Sequence, residues 1–177
     1  MKTKLIWALL LFCGVFLSCN QKQNNLAFDK ILSKSQYTVL MFFAPDCPLC
    51  ITFSKQFNEL SDKYEDIQFL AVQSGNNYSA MELKMYKDNT DLKPHIFLDR
   101  DYSVAHKFNA SITPEFFVVD QTGLVLYQGL LDNRMKELGV YKQHWDQFYL
   151  EEALKEISNN SEVSLKKTEA IGCVLEY

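Results

Sequence analysis

The chain has 177 residues, 47% of them hydrophobic and 23% charged, with 22 acidic side chains against 18 basic ones and five cysteines. That composition excludes a disordered, collagen-like or disulfide-dense chain. A net charge of −4, with no basic run and no interleaving of cations with aromatics, argues against nucleic acid as a partner.

Lys2 and Lys4 precede Leu5 to Leu17, an uncharged, mostly apolar run of 13 residues, and Leu17-Ser18-Cys19 follows. The run is too short to cross about 30 Å of hydrocarbon comfortably, so residues 1–18 read as a secretory signal peptide. A cysteine directly after a small residue at its end is similar to a bacterial lipobox, which would make Cys19 the lipidated first residue of the mature chain. Phe16 stands where leucine is usual, and plain secretion or an uncleaved anchor are the alternatives. Cleavage before Cys19 leaves 159 residues with a net charge of −6, enough for one core. Residues 19–26 are polar and without periodicity, as expected of a tether between lipid and domain. Export also places the remaining thiols in an oxidising compartment, where cysteines pair or do redox work.

Residues 27–157 carry the periodic segments. Tyr37 to Phe43 is an apolar run of strand formers bounded by Pro45. Beyond it, Cys50, Phe53, Phe57, Leu60 and Tyr64 recur at helical spacing, with Cys47 at the entrance of that helix. Ile67 to Val72 reads as a strand, Ala80 to Lys87 as a helix, Ile96 to Leu98 as a short strand and Tyr102 to Phe108 as a short helix. Phe116 to Val119 and Leu124 to Tyr127 form a hairpin around Asp120-Gln121-Thr122-Gly123. Trp145 to Ile157 is an amphipathic helix, and residues 158–177 form a tail ending in Ile171-Gly172-Cys173-Val174-Leu175. A β-α-β unit followed by more helix, a hairpin and a last helix describes an α/β fold with a mixed central sheet covered on both faces.

Cys47-Pro48-Leu49-Cys50 is the segment with chemistry in it. A helix N-terminus presents unpaired N–H groups and partial positive charge, which favour a thiolate at Cys47. Pro48 has no hydrogen bond to lose in the first turn. Cys50, on the buried face, is placed to attack a mixed disulfide formed at Cys47. A static disulfide and half of a zinc site are the other readings. Zinc needs four ligands, and the chain offers only three scattered histidines and Cys173 beside the pair.

Phe42-Phe43-Ala44-Pro45-Asp46-Cys47-Pro48-Leu49-Cys50, with Thr113-Pro114-Glu115-Phe116-Phe117-Val118-Val119-Asp120 some 60 residues on, resembles the thioredoxin superfamily. The resemblance covers roughly residues 28–157. It is strongest to the exported redoxin-type branch that includes membrane-tethered thiol-disulfide proteins of cytochrome c maturation. It implies a thioredoxin-like fold, a cis bond before Pro114, and a Thr113 backbone that pairs with an extended substrate segment while Pro114 keeps metals from the thiols. It further implies an envelope protein facing the periplasm, no organic cofactor, client proteins with disulfides or thiols, and a membrane dithiol as electron donor. Leu126-Tyr127-Gln128-Gly129, Asp132-Asn133 and Ala170-Ile171-Gly172-Cys173-Val174 resemble a redoxin subgroup ending in Gly-Cys, which implies that Cys173 is an accessory thiol exchanging with the active-site pair or with a partner. Half-buried packing of the C-terminus is the other reading of Cys173.

The pattern departs from the family in places. Met41 stands where thioredoxin keeps a buried aspartate, and Phe53 where maturation reductases keep a glutamate, leaving Glu115 and Asp46 as the nearest carboxylates. Copper chaperones of similar fold separate their cysteines by three residues and add a histidine, which makes His95, His106 and His144 relevant to a carrier reading. A peroxiredoxin has threonine where Ala44 stands, which counts against a peroxidase.

Overall fold

The computed structural model describes residues 24–177. Residues 1–18, read above as a signal peptide, and Cys19 lie outside the described residues. Helix α1 (residues 24–32) leads into β1 (Tyr37–Phe42), α2 (Pro48–Lys63), β2 (Gln68–Ser74), α3 (Ala80–Thr90), β3 (His95–Asp99) and α4 (Ser103–Phe108). There follow β4 (Ile112–Thr113), β5 (Glu115–Asp120), β6 (Val125–Gly129), β7 (Met135–Glu137), β8 (Val140–Tyr141), α5 (Tyr149–Ser158) and β9 (Cys173–Val174).

The central sheet has the order β3-β2-β1-β5-β6, with β1, β2 and β3 parallel and β5 and β6 antiparallel to their neighbours. It is the mixed sheet expected from the pattern. β1 lies at its centre, and five of its six residues are buried because helices cover both faces. Val39 and Met41 join Phe53, Phe57, Tyr86 and Leu154 on the α2, α3 and α5 side. Leu40 and Phe42 join Phe28, Leu32, Val104 and Phe108 on the α1 and α4 side. The alternation along β1 therefore divides its side chains between two cores.

Several boundaries differ from the sequence reading. Residues 24–26, assigned above to a tether, belong to α1. The Asn24 amide donates to Asp99 Oδ1 at 3.1 Å and Asp101 Oδ1 at 2.6 Å, which fixes the start of the helix against the end of β3. The last helix begins at Tyr149 rather than Trp145. Asn133 Oδ1 accepts from the N–H groups of Asp146 and Gln147 at 3.2 and 3.1 Å, and the Arg134 guanidinium lies over the Trp145 ring, so this stretch wraps the β6–β7 connection instead.

The C-terminal segment, residues 158–177, is strapped to the domain along its path. Gln128 N–H donates to Lys166 C=O and Thr168 N–H to Gln128 C=O, both at 2.9 Å, and β9 pairs antiparallel with β4. Tyr177 stacks its ring on His106 at 4.5 Å and donates its hydroxyl to Ala110 C=O. A Cβ at Gly129 would collide with Thr168, so the crossing over β6 requires glycine there.

Asp99 joins three of these elements. Fully buried, it accepts from the N–H groups of Val104 and Ala105 at 3.0 and 2.9 Å and from Ser74 Oγ at 2.9 Å, besides Asn24. Asp99→Ala leaves those donors unmatched and is expected to lower stability by about 2–4 kcal/mol, read as a lower urea midpoint with an unchanged slope.

Candidate functional site

β1 ends in the middle of the sheet, and a short turn carries the chain to Cys47, the N-cap residue of α2, with Pro48 opening the helix. Cys47 N–H donates back to Ala44 C=O at 3.1 Å, which tightens that turn. Cys50 lies one turn into the helix and is fully buried. Its carbonyl accepts from Ser54 Oγ at 2.8 Å and from the Tyr86 hydroxyl at 3.1 Å, and the Tyr86 ring stacks on Phe43 with centroids 4.7 Å apart. Tyr86 thus clamps the turn of α2 that holds both sulfurs. The sequence reading did not single it out, although a tyrosine within a helix following the second strand was visible.

From the other side, the Thr113–Pro114 peptide bond is cis and both residues are buried. The Thr113 carbonyl lies 3.2 Å from Cys47 Sγ and accepts its S–H when the thiol is protonated. Cys173, on β9, stands opposite Thr113 in the β4–β9 register, and its Sγ is 2.8 Å from Cys47 Sγ. All three cysteines are free. The structure therefore brings Cys47, Cys50, Thr113, Pro114 and Cys173 into one site.

Cys47 is held as an anion well below the ordinary thiol range, at about 5. The largest cause is the Cys50 thiol donating to it. Burial opposes this, while the Cys173 thiol and the N–H groups of Cys50 and Leu49 add to it. That is the helix-terminus arrangement expected of a nucleophilic cysteine. Cys50 is raised well above the ordinary value, first by burial and then by its bond to, and repulsion from, the Cys47 sulfur. Cys173 is pushed up to about 12, chiefly by burial and then by its bond to Cys47. The site thus holds one anion and two thiol donors.

The remaining polar groups are committed elsewhere. Glu115 is buried with its oxygens taken by Ser111 N–H and the Gln128 amide, and Asp46 accepts from the Tyr78 hydroxyl. Met41 is core, and Phe53 packs edge-on to Phe116 beneath the Arg134 guanidinium. His106 stacks on Tyr177, while His95 and His144 are exposed. Among the described residues, no group of three or more His, Cys, Asp and Glu side chains is arranged to hold a metal ion. No described helix is long and apolar enough to cross a membrane. A cavity of about 300 Å³ opens beside Cys47, between Tyr78 and the strand that carries Cys173.

Residues 12–128 match the model of the AhpC/TSA family. A thiol-disulfide oxidoreductase of Bacillus subtilis, YkuV, is 30% identical over 90 residues, which cover 49% of this chain and 61% of that protein's length. A hypothetical protein from Sinorhizobium meliloti superposes with a TM-score of 0.71 at 17% identity, over 84% of this chain and 83% of its own. A thioredoxin-like protein solved in its oxidised form superposes with a TM-score of 0.55 at 23% identity, over 72% of this chain and 81% of its own. The fold is thioredoxin-like.

Alkylation of Cys47 followed against pH is expected to rise through a midpoint of about 5. In Cys50→Ala the midpoint moves up, because losing the main donor to the anion favours the protonated thiol. A pH profile that does not move would contradict this assignment.

Proposed function

We propose a function from the premise that the chain belongs to the AhpC/TSA family: a thiol-disulfide oxidoreductase that exchanges disulfides with client proteins in the bacterial envelope. The observation that carries the reading is the Cys47 sulfur at the head of α2, 3.2 Å from the Thr113 carbonyl, with Cys50 buried one turn further into the helix. The Cys47 thiolate attacks one sulfur of a client disulfide. The client's other sulfur leaves as a thiolate, and Cys47 is bonded to the client. At that moment the charge on Cys47 is gone, and with it two of the three causes that raise Cys50, leaving burial alone. Loss of those two causes eases ionisation of Cys50 at the step where its attack is needed, against burial, which is the largest of the three. It then displaces the client from Cys47, its proton goes to the departing client sulfur, and the Cys47–Cys50 disulfide remains.

Thr113 and Pro114 form the opposite wall, where the client segment lies against Cys47. The chain needs no organic cofactor for this exchange, and a membrane dithiol donor returns the pair to the reduced state. Residues 1–18 act as a lipoprotein signal and Cys19 carries the lipid, which holds the domain at a membrane on its periplasmic side. The YkuV relative, a thiol-disulfide oxidoreductase by name, supports the activity.

Cys47→Ser is expected to abolish reduction of insulin disulfides, and Cys50→Ser to accumulate mixed disulfides with clients that a reductant dissolves. Undiminished turnover in Cys47→Ser would overturn the mechanism.

A further inference from the structure

The strand that carries Cys173 lies where an incoming segment must lie. β4 is a two-residue strand outside the central sheet, and β9 is its partner there. Ile112 pairs with Val174, Thr113 with Cys173, and Leu175 N–H donates to Ser111 C=O at 2.8 Å. Backbone pairing on an open edge accepts any extended chain, and the register decides which side chain faces the site. Here the residue opposite Thr113 is a cysteine whose sulfur reaches Cys47 at 2.8 Å. Cys47, the proposed nucleophile, is only 1% exposed.

The approach depends on Gly172. A Cβ at this position would collide with the Thr113 carbonyl and with Ile112 Cγ2, so any other residue must push β9 away from β4. The pairing, the glycine and the sulfur contact belong to one arrangement.

We propose that the C-terminal strand is a tethered substrate of its own active site: Cys173 is a third exchanging thiol that forms a disulfide with Cys47, and clients reach Cys47 by displacing β9. The step needs no outside oxidant once the pair is oxidised. The Cys173 thiolate attacks Cys47 Sγ of the Cys47–Cys50 disulfide, the Cys47–Cys173 bond forms, and the Cys47–Cys50 bond breaks. Cys50 leaves as a thiolate and takes up the proton that Cys173 gave up, so nothing is oxidised or reduced overall. The reverse attack by Cys50 on Cys47 frees the strand. Oxidised protein thus divides between an open form and a form covalently closed over its nucleophile.

This rests on Cys47 and Cys50 being the reactive pair, and its test separates the two readings. Full-length Cys50→Ser protein is treated with excess glutathione disulfide and analysed by intact mass and peptide mapping. The expected product carries an internal Cys47–Cys173 disulfide, with no glutathione on either of those cysteines. In Cys50→Ser/Gly172→Val protein, glutathione is retained on Cys47 instead. With Cys50 intact, Gly172→Val and Leu175→Pro each keep all three cysteines but unseat the strand. Either is expected to speed alkylation of Cys47 by about tenfold, since a site that is open only part of the time reacts in proportion to that fraction. Glutathione on both Cys47 and Cys173 of Cys50→Ser without an internal bond would overturn the proposal, as would alkylation rates unchanged in both strand variants. Insulin reduction that still depends on Cys47 would leave the oxidoreductase reading standing in either case.

Discussion

A sulfur anion buried at the head of a helix is the constraint on which the site is built. Removing charge from water is costly unless donors replace the lost hydration. Around Cys47 they come from the N–H groups of Leu49 and Cys50, the Cys50 thiol and the Cys173 thiol. The α2 N-terminus can face the sulfur only because β1 stops at Phe42, and Tyr86 keeps Cys50 aimed by holding its carbonyl. Two core clusters on opposite faces of the sheet make that position rigid.

The same constraint makes the C-terminal strand part of the chemistry. Cys173 supplies a donor to the anion and also excludes solvent from it, so the strand stabilises the thiolate while limiting access to it. Holding the segment takes contacts spread over 12 residues of chain, from the Gln128 pairing with Lys166 and Thr168 to the ring of Tyr177 on His106. Each is a modest interaction, and an extended segment that paired with Thr113, as proposed for a client, would compete with only the β4–β9 pairing among them. Such a strap can lift locally at β9 without the domain unfolding.

The central sheet, α2 and the hairpin were legible because their signals are local: apolar runs, three-and-four spacing and a turn bounded by glycine. Cys47 and Cys50 were legible as a pair from a spacing of two residues at a helix start. The meeting of Thr113 and Pro114 with that pair rested on resemblance; in the structure the Thr113 carbonyl lies 3.2 Å from Cys47 Sγ and the bond before Pro114 is cis. What could not be read is long-range and aperiodic. Asn24 looks like linker until Asp99, 75 residues away, supplies its acceptor. The tail crosses β6 at Gly129 and β4 at Gly172 through missing side chains, and nothing in a periodic pattern marks a glycine by what it must avoid. Trp145 fits a helical stripe but is claimed by Arg134 and the Asn133 loop.

Disulfide mapping of the oxidised wild-type protein, quenched in acid before peptide digestion, tests most directly whether Cys47 is the shared centre of this site. Cys47 is expected in every internal disulfide, joined to Cys50 in one population and to Cys173 in the other. A Cys50–Cys173 disulfide with Cys47 left as a free thiol would contradict the account.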